Sequence, residues 1–196
     1  MSHDTGSETD VDIDITIRQP QAVAEMRGVW QVNSRCWVRA YEHILPEDAL
    51  PNPDTPPDET ELREQLDYAN ALNATESGRY VVAVRDSGSD NGGVVGFAAT
   101  RWGDETKSFV GHDDAGLWVI YVDPSRWGDG IGSALLDAVT ATIPEQYDRL
   151  VLESFAENDA GRAFYRSRGF EVVDRTETEV GDEVYPTVIM ARSLTD

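Results

Sequence analysis

Apolar and polar side chains alternate at the start of the chain. Val11, Ile13, Ile15 and Ile17 are separated by Asp12, Asp14 and Thr16. A period of two predicts a half-buried strand. The period then lengthens. From Ala22 to Ile44 the apolar set is Val23, Met26, Val29, Trp30, Trp37, Val38 and Tyr41, which predicts a helix. Five prolines between Pro46 and Pro57 predict a loop or broken helix. Asp58–Leu72 reads as helix again, with Leu62, Leu66 and Ala69 on one face. Tyr80–Val84 and Val94–Arg101 read as a strand pair around the turn-rich run Asp86 to Gly93. Leu117–Val122 is a further strand. Ile131 to Thr142 carries a helical stripe of Ile131, Ala134, Leu135, Ala138 and Val139. Leu150–Phe155 is a strand, Asp159–Arg168 a helix, and Phe170–Val173 and Val184–Ala191 are strands. The C-terminal half therefore reads β-α-β-α-β-β, an α/β arrangement. There is no internal repeat and no clear linker. One domain over 11–196 is expected, behind a polar tail at 1–10 expected to be disordered.

Composition narrows the class. Of 196 residues, 37 are acidic and 16 basic, so the net charge is 16 − 37 = −21. The hydrophobic share of 40% is enough for a core. No run approaches the roughly 18 apolar residues of a membrane helix. The polar, acidic start Met1-Ser2-His3-Asp4 is unlike a signal peptide, and a cytoplasmic location is expected. Cys36, the sole cysteine, excludes an internal disulfide and points weakly to a reducing compartment. So negative a chain repels phosphates, which argues against non-specific nucleic-acid binding. The acidity is diffuse, and Lys107 is the one lysine. Such composition resembles that of cytoplasmic proteins of salt-loving archaea, where molar salt screens self-repulsion. An ordinary acidic protein with a basic substrate is the other reading.

Candidate chemistry concentrates after Leu117–Val122. The strand ends at Asp123-Pro124. A short loop with Gly128, Gly130 and Gly132 follows, and a helix starts at once. Glycines let backbone amides turn inward around an anion, and the helix start favours phosphate. Arg126 adds a cation beside them. A P-loop is excluded, because no Lys follows the glycines. A dinucleotide fingerprint matches only in part, since Ser133 stands where its last Gly would be. The loop could also serve only to tighten a strand-to-helix turn.

This segment resembles the pyrophosphate loop R/Q-x-x-G-x-G/A of the GNAT-superfamily N-acetyltransferases, aligned on Gly130 and Gly132. Trp127 then stands where the family has Arg or Gln, and Arg126 could replace the lost charge. A second block, Leu152-Glu153 through Asn158, Tyr165, Gly169 and Phe170, resembles the family's L-x-V-x-x-x-N-x-x-A-x-x-x-Y-x-x-x-G-F. A weaker likeness covers Ala40 to Pro46, in the region that shapes the family's acceptor site.

The resemblance implies a mixed, twisted sheet of six or seven strands with about four helices, in which the fourth and fifth strands splay apart. It implies acetyl-CoA in the opening as cosubstrate, with no metal. Ile120, Tyr121 and Val122 would pair with the pantetheine arm. Gly128, Asp129, Gly130, Ile131, Gly132 and Ser133 would cradle the pyrophosphate with Arg126 near, and Asn158 would hydrogen-bond the arm. Tyr165 would be the general acid that protonates the leaving thiolate, and the Val122 amide the oxyanion donor. For the base, Glu153 is the candidate; a water chain, or a Glu153 that only orders the cleft or binds the acceptor's cation, stays open. The family's other base position falls near Gly116. The implied activity is transfer of acetyl to a primary amine, on a small molecule or a protein N-terminus. A non-catalytic acyl-CoA-binding module is the alternative, and a nucleotide-binding fold a second. Partners implied are acetyl-CoA and an amine, with no nucleic acid and no membrane; a homodimer stays open. His3, His43 and His112 lack metal-ligand spacing. Cys36, Trp30 and Trp37 read as core. Arg162, Arg166 and Arg168 form a basic cluster that either bridges its own helix or attracts phosphate.

Overall fold

A computed structural model describes residues 15–52, 55–85, 93–104 and 106–195. Among these residues, seven strands form one sheet: β1 (Ile15–Arg18), β2 (Gly78–Arg85), β3 (Val94–Arg101), β4 (Asp114–Val122), β5 (Arg149–Phe155), β6 (Glu171–Val180) and β7 (Glu183–Ser193). The described residues also form four α-helices: α1 (Val23–Tyr41), α2 (Glu59–Ala74), α3 (Ile131–Thr140) and α4 (Asp159–Ser167). The spatial order is β1-β2-β3-β4-β5-β7-β6. Every neighbouring pair is antiparallel except β4–β5. This is the α/β fold expected, with seven strands, the upper of the two numbers expected, and the expected four helices.

The central strands of the sheet are buried on both faces. Met26, Val29, Val32 and Cys36 of α1, with Leu62, Ala69 and Leu72 of α2, pack on Tyr80, Val82, Phe97 and Ala99. Ile131, Leu135, Leu136 and Val139 of α3 pack on Val81, Ala83, Ala98 and Leu152 from the other side. Phe164 and Tyr165 of α4 join that second core. Two-sided burial explains why β2 and β3 read as continuous apolar runs rather than alternating ones.

Several element ends differ from expectation by one to three residues, and some expected stretches lie outside the described residues. The first strand is described only from Ile15; Val11 to Asp14, and the tail at 1–10, lie outside the described residues, as does most of the Asp86–Gly93 turn. The proline-rich stretch contains a short 3-10 turn at Glu47–Ala49. The largest difference is β6, which runs to Val180 and not to Val173. Its outer half, Asp174 to Glu177, is exposed and polar, so no apolar pattern marks it. Backbone pairing to β7 holds it, and Gly181 turns the hairpin at φ 63°. Its charges also suit an edge strand, where they discourage pairing with another chain.

One irregularity positions everything that follows. In the β3–β4 ladder, Thr100 faces Leu117 but Ala99 faces Val119, so Trp118 is an extra residue in β4. Such a bulge bends its strand and shifts the side-chain phase by one. Before it, Ala115 and Leu117 point to the α3 side; after it, Ile120 and Val122 do. Tyr121 and Val119 are thereby turned to the α1 side.

Candidate functional site

β4 and β5 part company. They are in register only over Asp114–Arg149, Ala115–Leu150 and Gly116–Val151. Beyond that, β4 continues to Val122 and β5 to Phe155 without pairing to each other. The closed end is clamped: Arg149 Nε and Nη2 donate to the two oxygens of buried Asp114, both at 2.8 Å. A bidentate pair of this kind fixes orientation as well as distance. The clamp at one end and the bulge in the middle open a gap at the other.

The register also says which backbone groups face that gap. The Asp123 N–H donates to the Val95 carbonyl. Hydrogen-bonded pairs alternate along an antiparallel ladder, so Tyr121–Phe97 is bonded too. The backbone groups of Ile120 and Val122 therefore point away from β3, into the gap. Tyr121 faces it with its side chain alone. The Val122 carbonyl is already engaged, accepting from Cys36 Sγ at 2.9 Å and from Trp127 Nε1 at 2.8 Å. Its N–H is the group left to the gap.

A cavity of about 410 Å³ fills the opening. Its β4 wall is Ile120, Tyr121 and Val122. Its loop wall is Arg126, Gly128, Gly130, Ile131, Gly132 and Ser133. Asn158 and Tyr165 close it from α4. Asp129 and Glu153 stand outside this lining. Asp129 pairs with Arg126 at 3.3 Å. Glu153 lies on β5, facing the α1 side like its neighbour Val151, and accepts from Thr187 Oγ1 at 3.1 Å.

The glycines have separate reasons. Gly128 and Gly130 sit at φ 96° and 80°, where an L side chain is strained, although a Cβ there would meet nothing within 4 Å. Gly132 has ordinary backbone, but a Cβ would come 3.4 Å from the Phe164 ring. Two glycines shape the turn, and at the third a Cβ would just touch the Phe164 ring of α4. The α3 helix begins directly at Gly130, so its first amides are open to the cavity. Before the loop, Asp123 accepts from Ser125 N–H at 3.0 Å, Ser125 Oγ at 2.7 Å and Arg35 at 2.6 Å. Burial opposes its charge, but these donors prevail and hold its carboxyl below the usual range.

The basic cluster and the aromatic and cysteine residues of α1 divide between the cavity and other places. Arg168 donates to Ser133 Oγ across the mouth, which places that member of the basic cluster on the cavity. Arg162 instead turns inward to the Ala156 carbonyl and Asp159. Arg166 is exposed. Cys36, Ala40 and Tyr41 of α1 form the far wall. Trp127, in the position of the expected Arg or Gln, spends its indole N–H on Val122. Trp30 and Trp37 are half-buried rather than core. Burial, and then the Asp123 charge, push the Cys36 thiol up to about 12, so it is a neutral donor and not a nucleophile.

Phenols crowd the gap. Tyr41 Oη lies 3.5 Å from Tyr121 Oη. Burial raises the Tyr165 phenol above its ordinary value, with Tyr41 adding to it. Tyr165 therefore holds its proton at neutral pH. Asn158 Oδ1 caps α4 by accepting from Gly161 N–H at 3.0 Å, which leaves its amide nitrogen as the donor toward the cavity.

A gap between parallel strands, a glycine turn with open amides at its end and a protonated phenol beside it fit an acyltransferase type of site. The family model for the acetyltransferase (GNAT) family matches residues 37–170, and the chain belongs to that family. Solved structures of the same fold include the ribosomal-protein-S18-alanine N-acetyltransferase of Escherichia coli. It is 22% identical with a TM-score of 0.57, over 93% of this chain and 95% of that one. The PaiA N-acetyltransferase of Thermoplasma acidophilum, in complex with coenzyme A, is 21% identical with a TM-score of 0.61, over 92% and 99%. A phosphinothricin acetyltransferase of Sinorhizobium meliloti, in complex with acetyl-CoA, is 21% identical with a TM-score of 0.61, over 91% and 88%. Among the described residues, no group of three or more His, Cys, Asp or Glu could hold a metal ion. None of the described helices is long and apolar enough to cross a membrane.

Proposed function

We propose that this chain transfers the acetyl group of acetyl-CoA to a primary amine by direct attack. One observation carries the reading: the β4–β5 gap, the glycine turn and Tyr165 all open on the same cavity. The residues fit the cosubstrate. Amides at Gly128–Ser133, with Arg126 and Arg168 at the mouth, suit a diphosphate even in a chain of net charge −21. The Ile120 and Val122 backbone can add an extended arm to β4 as a strand would, and the Asn158 amide nitrogen can donate to it.

When bound, acetyl-CoA supplies the thioester carbonyl and a thiolate leaving group. The amine must be neutral to attack, yet an alkylamine has a pKa of about 10. Glu153, on the acceptor side of the gap, takes its proton directly or through water. The nitrogen–carbon bond forms while the Val122 N–H donates to the carbonyl oxygen as charge develops there. The carbon–sulfur bond then breaks, Tyr165 gives its proton to the sulfur, and the second proton of the attacking nitrogen returns to the Tyr165 phenolate directly or through water. The test is thiol release from acetyl-CoA with a panel of amines in molar salt. Acetylated amine with stoichiometric free thiol supports the reading. Coenzyme binding without turnover would make the chain a binding module, and calorimetric preference for ATP or NAD would overturn the coenzyme assignment.

A further inference from the structure

On the α1 face of β5, one oxygen of Glu153 accepts from Thr187. The other lies 3.5 Å from Lys107 Nζ. Lys107 is the chain's single lysine, against 37 acidic residues. It belongs to the segment between β3 and β4, where its ammonium also lies 5.6 Å from the Phe109 ring. The pair is open to solvent, with 47% of the Lys107 side chain and 19% of Glu153 exposed. Ion pairs this exposed contribute little to stability, so another cation can replace Lys107 at small cost.

Its place is informative. Val151 is the last β5 residue in register with β4, and Glu153 is two residues further on, at the mouth of the gap. Phe155, two further again, packs edge-on against Tyr41 of the cavity wall at 5.1 Å. Tyr185 continues that aromatic row, 6.1 Å beyond Phe155. An ammonium on Glu153 thus stands across the sheet from the glycine turn, with an aromatic wall next to it.

We propose that Lys107 holds the place of the acceptor's ammonium on Glu153, and that a cationic amine enters by displacing it. This rests on the acyl-transfer reading above. The acceptor class that follows is a primary alkylamine, charged in water, whose carbon body lies along Tyr41, Phe155 and Tyr185. A tethered competitor acts at a high effective concentration, so Lys107 raises the KM for such amines. Amines that are neutral at pH 7, such as anilines, do not contest the carboxylate and escape the competition. Lys107 is therefore a specificity-determining residue and takes no part in bond making.

Two measurements test this, and the first needs no turnover. An amine-reactive acetylating ester can label only Lys107 and the N-terminus, which peptide mass spectrometry separates. Phenethyltrimethylammonium, which cannot itself be acylated, should raise the Lys107 labelling rate saturably above that in NaCl of equal ionic strength. Labelling of the N-terminus should not change, and Glu153→Gln should abolish the dependence. A Lys107 rate indifferent to the quaternary cation overturns the proposal. The second measurement is kinetic, with the alkylamine that turns over best. Lys107→Met should lower its KM roughly 2- to 5-fold, the range of an exposed ion pair, with kcat within about twofold, and Lys107→Arg should leave KM unchanged. Aniline should show the same KM in all three proteins. An unchanged alkylamine KM, or an equal fall for both amines, overturns the proposal while leaving acetyl transfer intact. Absence of any turnover overturns the acyl-transfer reading instead, and the labelling result then decides for Lys107 alone.

Discussion

At the level of single residues, the proposed acetyl transfer depends on a proton held in place and a backbone held in an unusual shape. Tyr165 has a phenol raised by burial. The donating form is the neutral one, so a raised pKa extends its useful range upward. Its titration should therefore cause no fall in kcat below about pH 10, the ordinary tyrosine value. Tyr165→Phe keeps the ring against Phe164 and Phe170 and removes only the proton. The expected result is a roughly 10²-fold loss of kcat, the low end for general acid catalysis. Coenzyme affinity by calorimetry should stay within about twofold. Unchanged turnover would remove Tyr165 from the mechanism. Gly130 has no neighbour that a methyl group would strike, so Gly130→Ala isolates the backbone effect. A left-handed alanine costs about 1–2 kcal/mol. Urea denaturation should show that loss, or the turn should relax and coenzyme binding weaken. A variant unchanged in both would mean that φ 80° is not required there.

Elements show what the amino-acid pattern announces and what it conceals. Helix α2 is announced: Asp58 accepts from the amides of Thr60 and Glu61, and Glu61 accepts from the Asp58 amide. This reciprocal cap accounts for a helix boundary readable in advance. Asp58→Ala should cost about 1 kcal/mol in a denaturation experiment, and a midpoint that does not move would show the cap to be idle. The strand-turn-helix at Leu117–Leu136 was equally legible, because glycines and an apolar stripe are local signals. The bulge at Trp118 was not. Nothing local distinguishes an extra strand residue from an ordinary one; only the partner ladder does. The outer half of β6 was hidden for a related reason, since pairing rather than burial holds it. Cys36, Ala40 and Tyr41 were missed as cavity walls because some 80 residues separate α1 from the strand it faces. Helical periodicity reported only that one side of α1 is covered, not that part of that cover is a cleft.

For the molecule as a whole, net charge is the dominant variable. At −21, self-repulsion opposes compaction everywhere on the surface. The screening length is about 10 Å at 0.1 M salt and about 3 Å at 1 M. The melting temperature should therefore rise by about 10 °C or more between 0.1 and 2 M KCl. A flat response would show that the acidic surface is not tuned to salt. The same field explains why positive charge is placed so sparingly. Arg126 and Arg168 stand at the cavity mouth, and Arg149 clamps the closed end of β4–β5. The placement gives an anionic coenzyme a local welcome on a surface that otherwise repels it.

Trp127 carries a consequence for observing the molecule at work. Trp127 is 45% exposed, lines the cavity and is tethered by its indole N–H to the strand the coenzyme arm would join. A ligand that seats there changes the polarity around this ring and not around Trp102, which is buried against Tyr147. The emission of the native protein should shift on adding coenzyme A, and Trp127→Phe should silence the shift. The chain thus contains its own optical reporter of occupancy, usable in brine without any attached dye.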